Sequence, residues 1–444
     1  MRRTLLAALI VMAWNASGQE AWQPFTLRSF DNRATSGESR TLAVRENRRD
    51  AASRFIRIGV VRLRGGGGTP TIFLSGGPGI PATVLARVPV YFDLFERLRK
   101  AGDVLLIDQR GSGMSLPNLT CPTAELTRDG LATDENMRQL LLRRVTRCAA
   151  FWRAGGVDLR GYSTREITDD IDAVRRAIGA QKVNLLAFSY GSEVAIEIAR
   201  RRPESVRRIV FASTRAPDTL LKSPAVWDRQ LDTLGIREEV REVVARLDRE
   251  PVKAAELTLG GIALLTALRN DLPDGRATGK IAPLVHATRD ADYAPLAQRA
   301  RQTLEGIARS FNLMTLAVDC SSGWSARRLA DTRAEAAGAV MRTVNLQWDA
   351  EICAAIAGAG TPPPIGRITV PALFITGTLD PNAPVAQTDA IRRRFTNSVH
   401  VTVVNGAHET LPAAEVQERV AAFLRGEPES GERIVVGGYN APPP

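Results

Sequence analysis

A sharp turn from a buried strand into a helix, centred on Ser189, is the feature that most constrains this sequence. The apolar run that ends at Phe188 predicts a buried strand, and the segment from Val194 onward has the composition of a helix. A residue at such a turn has a strained backbone, so small side chains are needed two positions before and two positions after it. Ala187 and Gly191 meet this need. Ser189 is therefore the candidate nucleophile, and a serine in a surface turn is the alternative.

Short apolar runs alternate with helix-length segments along most of the chain. Short, mainly apolar runs that are typical of buried strands lie at residues 71–74, 104–107, 183–188, 208–212, 372–376 and 399–404. This alternation predicts an α/β fold with a mostly parallel sheet covered by helices on both faces. An edge sheet is expected within residues 19–64.

The predicted organisation divides the chain into a catalytic domain and an insertion. Residues 19–215 and 366–426 form the two parts of the catalytic domain. Residues 216–365 are rich in Ala, Leu, Arg and Glu and are predicted to form a mainly helical cap, which follows the strand after the nucleophile helix. Residues 427–444 are expected to be a loosely held tail.

The N-terminus and the charge indicate an exported protein that does not bind nucleic acid. Residues 1–18 combine two arginines, an apolar segment and small residues, which is the layout of a secretory signal, with a buried first helix as the alternative. The apolar segment is too short for a stable span of a bilayer, so a soluble periplasmic or secreted protein is expected. The net charge of +11 is spread along the 444 residues rather than gathered in one basic block, which disfavours nucleic-acid binding.

Four cysteines fit an exported protein with two disulfides. Sequence permits three pairings. The preferred one joins Cys121 to Cys148 and Cys320 to Cys353, because each pair then closes a moderate loop within one region. A metal site is not expected, since no Cys-x-x-Cys spacing occurs and the histidines are remote from the cysteines.

Reactive residues follow three of the predicted strands. In an open parallel sheet, the loops beyond the carboxyl ends of the strands gather at one edge. Ser189, Asp380 and His408 lie on such loops, in the chain order expected for a nucleophile, an orienting acid and a base. Asp218 is the alternative acid. His408 is the candidate base, because His286 lies in the predicted insertion and His400 lies within a predicted strand.

The same edge of the sheet is expected to carry donors for an oxyanion. The backbone N–H of Tyr190 follows the nucleophile, and that of Gly77 lies in the glycine-rich segment 76–79. Both are positioned to stabilise a tetrahedral intermediate. A phosphate cradle is the competing interpretation of this segment, but it lacks the Lys and Ser/Thr of a P-loop and the spacing of a dinucleotide fingerprint.

With these motifs the chain resembles the alpha/beta-hydrolase superfamily, and within it the proline iminopeptidase and tripeptidyl aminopeptidase-like serine peptidases. The resemblance rests on Gly76–Gly79, Asp108–Gly113, Ser189–Ser192, Gly377 with Asp380, and Gly406 with His408. Two departures stand out. Ser75 occupies the position of the usual His before the glycine segment, and no glutamate of the insertion matches the acidic residues that hold the substrate amine in iminopeptidases.

The resemblance implies an exported serine peptidase that removes one or a few N-terminal residues from short peptides, with no cofactor and no metal. The helical insertion is then expected to act as a lid over the site. Two other functions stay open at this point: an esterase or amidase acting on non-peptide substrates, and a binding protein on an inactive hydrolase scaffold.

Overall fold

The computed structural model describes residues 21–342, 350–431 and 433–436. The predicted signal peptide, residues 1–18, lies outside these ranges, as do the last eight residues of the predicted tail. In the described part of the chain the strands are β1 (Gln23–Arg28), β2 (Ala34–Arg45), β3 (Phe55–Leu63), β4 (Gly68–Leu74), β5 (Gly102–Ile107), β6 (Val183–Phe188), β7 (Val206–Ala212), β8 (Val252–Ala254), β9 (Leu257–Leu259), β10 (Ala372–Gly377), β11 (Ser398–Val404) and β12 (Arg433–Val435).

Helices follow most of these strands. They are α1 (Ala82–Leu85), α2 (Pro89–Leu98), α3 (Asp134–Ala154), α4 (Thr164–Ala177), α5 (Tyr190–Arg201), α6 (Pro224–Thr233), α7 (Arg237–Arg249), α8 (Gly261–Asp271), α9 (Thr278–Arg289), α10 (Ala294–Arg309), α11 (Leu313–Ser322), α12 (Ala326–Gly338), α13 (Ala350–Ile356), α14 (Val385–Arg392) and α15 (Ala414–Arg425). Helix α4 begins with half of a capping box: the Ser163 hydroxyl accepts the Glu166 N–H, whereas the Glu166 carboxylate binds Arg48.

Within the described residues, ten strands form one sheet in the order β1-β2-β3-β5-β4-β6-β7-β10-β11-β12. The pairs from β5 to β12 are parallel, and the pairs among β1, β2, β3 and β5 are antiparallel. The predicted α/β fold is thus observed, and the edge sheet expected within residues 19–64 is antiparallel. The long strand β2, which lies between β1 and β3, was missed because its sequence has no sustained apolar run.

Successive residues of the central strands enter two different cores. Ile72 of β4 packs on the side of α4 and α5, whereas Phe73 packs on the side of α2 and α15. Both side chains are fully buried. Burial on both faces explains why these strands are mainly apolar in sequence, as is typical of parallel strands between helical layers.

The insertion between β7 and β10 is mainly helical and contains α6 to α13. A short antiparallel hairpin, β8 with β9, also belongs to it, and the apolar composition alone did not reveal these three-residue strands. Among the described residues, no helix of this insertion or of the rest of the chain is long and apolar enough to cross a bilayer.

Two disulfides fix the insertion and the segment before α4. They join Cys121 to Cys148 and Cys320 to Cys353, which are the preferred pairs of the sequence analysis. The first ties the loop after β5 to α3, and the second ties α11 to α13.

The prediction of a loosely held tail after Gly426 is wrong for its first part. Residues Arg433–Val435 pair in parallel with β11 and extend the sheet by an edge strand. The side chain of Ile434 is buried against the core under α15. Three residues are too few to show a strand pattern in sequence, so composition alone suggested a flexible segment.

Replacing both Cys320 and Cys353 by serine should lower the free energy of unfolding by roughly 3 to 4 kcal/mol, because the disulfide closes a loop with a sequence separation of 33. Urea titrations of the wild type and the double variant, with the Cys121–Cys148 bond intact in both, measure the difference. A loss smaller than about 1 kcal/mol would contradict the expectation.

Candidate active site

The nucleophile turn has the strained geometry that its sequence predicts. Ser189 adopts φ +52° and ψ −117°, a region that residues with a side chain rarely occupy. Its N–H donates to the Ala212 carbonyl at 2.9 Å, which anchors the turn to β7. A Cβ on Gly191 would lie 2.0 Å from the Leu74 carbonyl oxygen, so only glycine fits where α5 crosses β4. Contacts with the central sheet therefore stabilise the strained backbone conformation of Ser189.

The three predicted reactive residues lie within hydrogen-bonding distance of one another. His408 Nε2 is 3.0 Å from Ser189 Oγ, and His408 Nδ1 is 2.8 Å from Asp380 Oδ2. Ser189 follows β6, Asp380 follows β10 and His408 follows β11. The predicted convergence of three strand ends is observed, across sequence separations of 219 and 28 residues.

Asp380 is buried and fully hydrogen-bonded. Its Oδ1 accepts the N–H groups of Asn382 and Ala383, at 2.8 and 3.0 Å. Burial pushes the pKa of Asp380 upward, but the charge attraction and hydrogen bond of His408, together with the two backbone donors, outweigh burial and leave this pKa below its usual value. An ionised Asp380 favours the tautomer in which Nδ1 of His408 carries the proton and Nε2 accepts one from Ser189.

The alternative residues have other partners. Asp218 accepts hydrogen bonds from the backbone N–H and the hydroxyl of Ser325, at 2.7 and 2.8 Å, at the start of α12. His400 lies between Asp389 and Thr376, and the half-exposed His286 contacts Glu239. None of these contacts involves Ser189.

The glycine segment, residues 76–79, lies directly against Ser189. A Cβ on Gly76 would come within 3.1 Å of Ser189 Cβ, and Gly77 adopts φ +106°. Tyr190 begins α5, so its N–H belongs to the first helical turn, whose donors have no acceptor inside the helix. Both predicted oxyanion donors are thus on segments that border Ser189, and their role stays a prediction.

Ser75 and Gln109 hold the glycine segment in shape. The Ser75 hydroxyl donates to the Ile80 carbonyl at 2.6 Å, which spans the segment. Gln109 Nε2 donates to the Ser75 carbonyl at 3.1 Å, and its Oε1 accepts the Gly79 N–H at 3.2 Å. Ser75, which departs from the family pattern, therefore closes this loop by a local hydrogen bond.

The motif Asp108–Gly113 forms the loop after β5 and makes hydrogen bonds that fix this loop at the same edge of the sheet. Asp108 accepts the N–H of Thr83 and of Met114, at 3.0 and 2.8 Å. The fully buried Arg110 forms a paired contact with Asp170, through Nε and Nη2 at 2.8 and 2.7 Å. A planar guanidinium suits such a bidentate contact, and the pair fixes the loop after β5 to α4.

Two cations beside the triad were not singled out from the sequence. Arg215 lies over the Tyr190 ring at 5.1 Å and forms ion pairs with Glu193 and Asp319. Lys222 Nζ donates to the Asn382 carbonyl at 2.9 Å, next to Asp380. Both are buried. Among 59 lysines and arginines no local pattern marks them, because their partners are remote in sequence.

The sheet order and the family models assign the chain to the alpha/beta-hydrolase fold. Residues 69–237 match the family model for the alpha/beta hydrolase fold, and residues 340–431 match the model for TAP-like proteins. The first model covers the turn at Ser189, and the second covers the loops of Asp380 and His408.

Curated relatives bear the names of peptidases and hydrolases. The Escherichia coli (strain K12) protein YuaR, named as a hydrolase, is 32% identical over 32% of this chain and 27% of its own length. Serine protease Hip1 of Mycobacterium tuberculosis (strain H37Rv) is 28% identical over 32% of this chain and 29% of its own. Tripeptidyl aminopeptidase of Streptomyces lividans is 29% identical over 33% of this chain and 28% of its own. The matches thus span less than a third of each relative.

The two family models and the named relatives support an alpha/beta-hydrolase peptidase family. At this level they confirm the resemblance predicted from the motifs.

Lys222 generates a pH-dependent prediction. Burial, with the nearby charge of Arg215, lowers its pKa from 10.5 to about 7. Between these values the unfolded chain binds more protons than the folded one, so stability rises with pH across this window. The Lys222→Met variant lacks this contribution. Between about pH 7 and about pH 10, the free energy of unfolding of the variant should rise less steeply with pH than that of the wild type, by on the order of 1 kcal/mol per pH unit. Urea titrations measure both plots, and parallel plots would contradict the prediction.

Proposed function

We propose that the protein is an exported serine aminopeptidase that releases one or a few residues from the N-terminus of short peptides. The observation that carries the proposal is the hydrogen-bonded chain from Ser189 Oγ through His408 to the buried Asp380. The serine hydroxyl is a weak nucleophile at neutral pH, and this chain supplies the base and the orienting acid that activate it.

The proposed reaction proceeds through an acyl-enzyme. Ser189 Oγ attacks the scissile carbonyl carbon while His408 Nε2 takes the hydroxyl proton, and Asp380 stabilises the imidazolium. The backbone N–H groups of Tyr190 and Gly77 stabilise the oxyanion of the tetrahedral intermediate, where one donor is worth on the order of a hundredfold to a thousandfold in rate. His408 then protonates the leaving amine, and a water molecule hydrolyses the ester on Ser189 by the same steps in reverse order.

Contacts between the insertion and the loops of the site support a restriction to short substrates. The His408 N–H donates to the carbonyl of Pro273, after α8, at 3.2 Å. The Thr315 hydroxyl, on α11, donates to the Pro78 carbonyl at 2.9 Å. A cap seated on two of the catalytic loops limits how a long chain approaches Ser189, which fits an enzyme that acts on chain ends.

Export is supported by the two disulfides, which persist in oxidising compartments, and by the signal-like sequence of residues 1–18. The aminopeptidase specificity is supported by the printed names of the relatives, which include a tripeptidyl aminopeptidase.

A substrate panel tests the proposed specificity. The chain from Gln19 onward should hydrolyse aminoacyl or tripeptidyl arylamides with a free N-terminus, and N-acetylation of the same compounds should reduce kcat/KM by at least about tenfold, since a buried site that binds an amine rejects its neutral analogue. Simple nitrophenyl esters serve as the comparison. Turnover of esters without any turnover of arylamides would contradict the peptidase assignment.

Variants of the triad test the mechanism. Ser189→Ala and His408→Ala should each lower kcat by about 10⁴-fold to 10⁶-fold with unchanged circular dichroism, because nucleophile and base act as one unit. His286→Ala, a histidine remote from Ser189 in the insertion, is the matched control and should retain wild-type kcat. Substantial activity in either triad variant would contradict the mechanism.

A further inference from the structure

One cap helix, α11, contacts the segments that carry both predicted oxyanion donors. We propose that α11 positions these donors through Thr315 and Asp319, which act as positioning residues for the reaction. The inference rests on the proposed function, because it presumes that Ser189 forms an oxyanionic intermediate.

The first contact reaches the glycine segment. The Thr315 hydroxyl donates to the Pro78 carbonyl at 2.9 Å. Gly79 packs so closely on the helix that a Cβ there would lie 3.0 Å from Thr315 Oγ1 and 3.1 Å from Met314 Sδ. The N–H of Gly77 lies in the peptide unit that joins Gly76 to Gly77, and the next peptide unit joins Gly77 to Pro78. The position of α11 therefore affects the position of this segment relative to Ser189.

The second contact reaches Tyr190. Asp319, 2% exposed, forms an ion pair with Arg215 in which Nη1 and Oδ1 are 2.8 Å apart. Arg215 in turn binds Glu193, four residues after the nucleophile, with Nε 3.0 Å from Oε2, and it covers the Tyr190 ring. The Arg215 N–H also points to the Ser189 carbonyl at 3.4 Å. Ion pairs with two buried carboxylates restrict the Arg215 guanidinium to one orientation. The guanidinium in turn packs on one face of the Tyr190 ring and restricts where that ring can lie.

Tyr190 is also held by its hydroxyl. This group lies 3.0 Å from Thr164 Oγ1, and Thr164 Oγ1 lies 2.9 Å from Ser322 Oγ, at the end of α11. The ring and the hydroxyl of the donor residue therefore both depend on the same helix.

The helix itself is tied down at both ends. Asn312, its N-cap, accepts the Met314 N–H at 2.8 Å and donates to the Gly111 carbonyl at 2.9 Å. At the other end, Cys320 is disulfide-bonded to Cys353, and its carbonyl accepts the Gly360 N–H at 2.7 Å. An element fixed in this way is able to hold two donor segments at a constant distance from Ser189.

Positioning predicts a particular kinetic signature. An oxyanion donor acts on the transition state, so a displaced donor lowers kcat and leaves KM nearly unchanged. A shift of about 1 Å in such a site is worth up to about a hundredfold. A residue that only stabilises the fold would instead lower the amount of active enzyme and the unfolding midpoint.

The experiment measures kcat, KM and unfolding midpoints of Thr315→Val, Asp319→Asn and their combination, on the substrate that the wild type turns over fastest. We expect each single variant to lower kcat about tenfold and the combination about a hundredfold, with KM changed less than about threefold. Thr315→Ser keeps the hydroxyl and should retain wild-type kcat. Ser321→Ala is the control on the same helix, because the Ser321 hydroxyl donates to the Val318 carbonyl within it.

The outcomes separate the two proposals. Wild-type kcat in Thr315→Val and in Asp319→Asn, or losses confined to KM, would overturn the positioning role while the peptidase assignment stands. If Asp319→Asn does not fold, the comparison of Thr315→Val with Thr315→Ser decides, and equal kcat in these two variants overturns the proposal. An inactive wild type would instead overturn the proposed function itself.

Discussion

The strained backbone at Ser189 is the constraint on which the rest of the structure depends. A residue with a side chain stays at φ +52° only where its surroundings leave it no alternative. Here the fully buried strand β6 fixes one side, the N–H bond to Ala212 fixes the middle, and the contact of Gly191 with the Leu74 carbonyl fixes the start of α5. The doubly covered sheet is therefore more than a scaffold, because its packing presents the serine hydroxyl to His408.

Buried ion pairs connect the loops around this turn to one another. Arg110 joins the loop after β5 to α4 through Asp170, and Arg215 joins α5 to the cap through Glu193 and Asp319. Such groups cost free energy to desolvate and contribute little net stability compared with an apolar core. Burial raises the pKa of Asp319 to about 6 even though Arg215 opposes this shift. Their directional contacts fix geometry, which a catalytic site needs more than stability.

The parts that could be predicted from the sequence are those with a local signal. The central strands are apolar on both faces, and the triad follows from the order of Ser189, Asp380 and His408 at strand ends. The choice between Asp380 and Asp218 followed from position alone, and the structure gives Asp218 a separate role at the start of α12. Strand β2, the short β12 and the ion pairs of Arg215 could not be predicted. A strand of mixed polarity or of three residues has no clear period, and the partners of a buried arginine are set by the fold.

The most direct test of this account is the site of reaction with a fluorophosphonate, a reagent that phosphonylates a serine activated by an adjacent base. Peptide mapping by mass spectrometry of the labelled wild type should find one adduct, on Ser189, and the same treatment of Asp380→Asn should label that serine far more slowly, because the imidazole loses its orienting carboxylate. An unlabelled Ser189 in correctly folded wild-type protein, or an adduct on a different serine, would contradict the account.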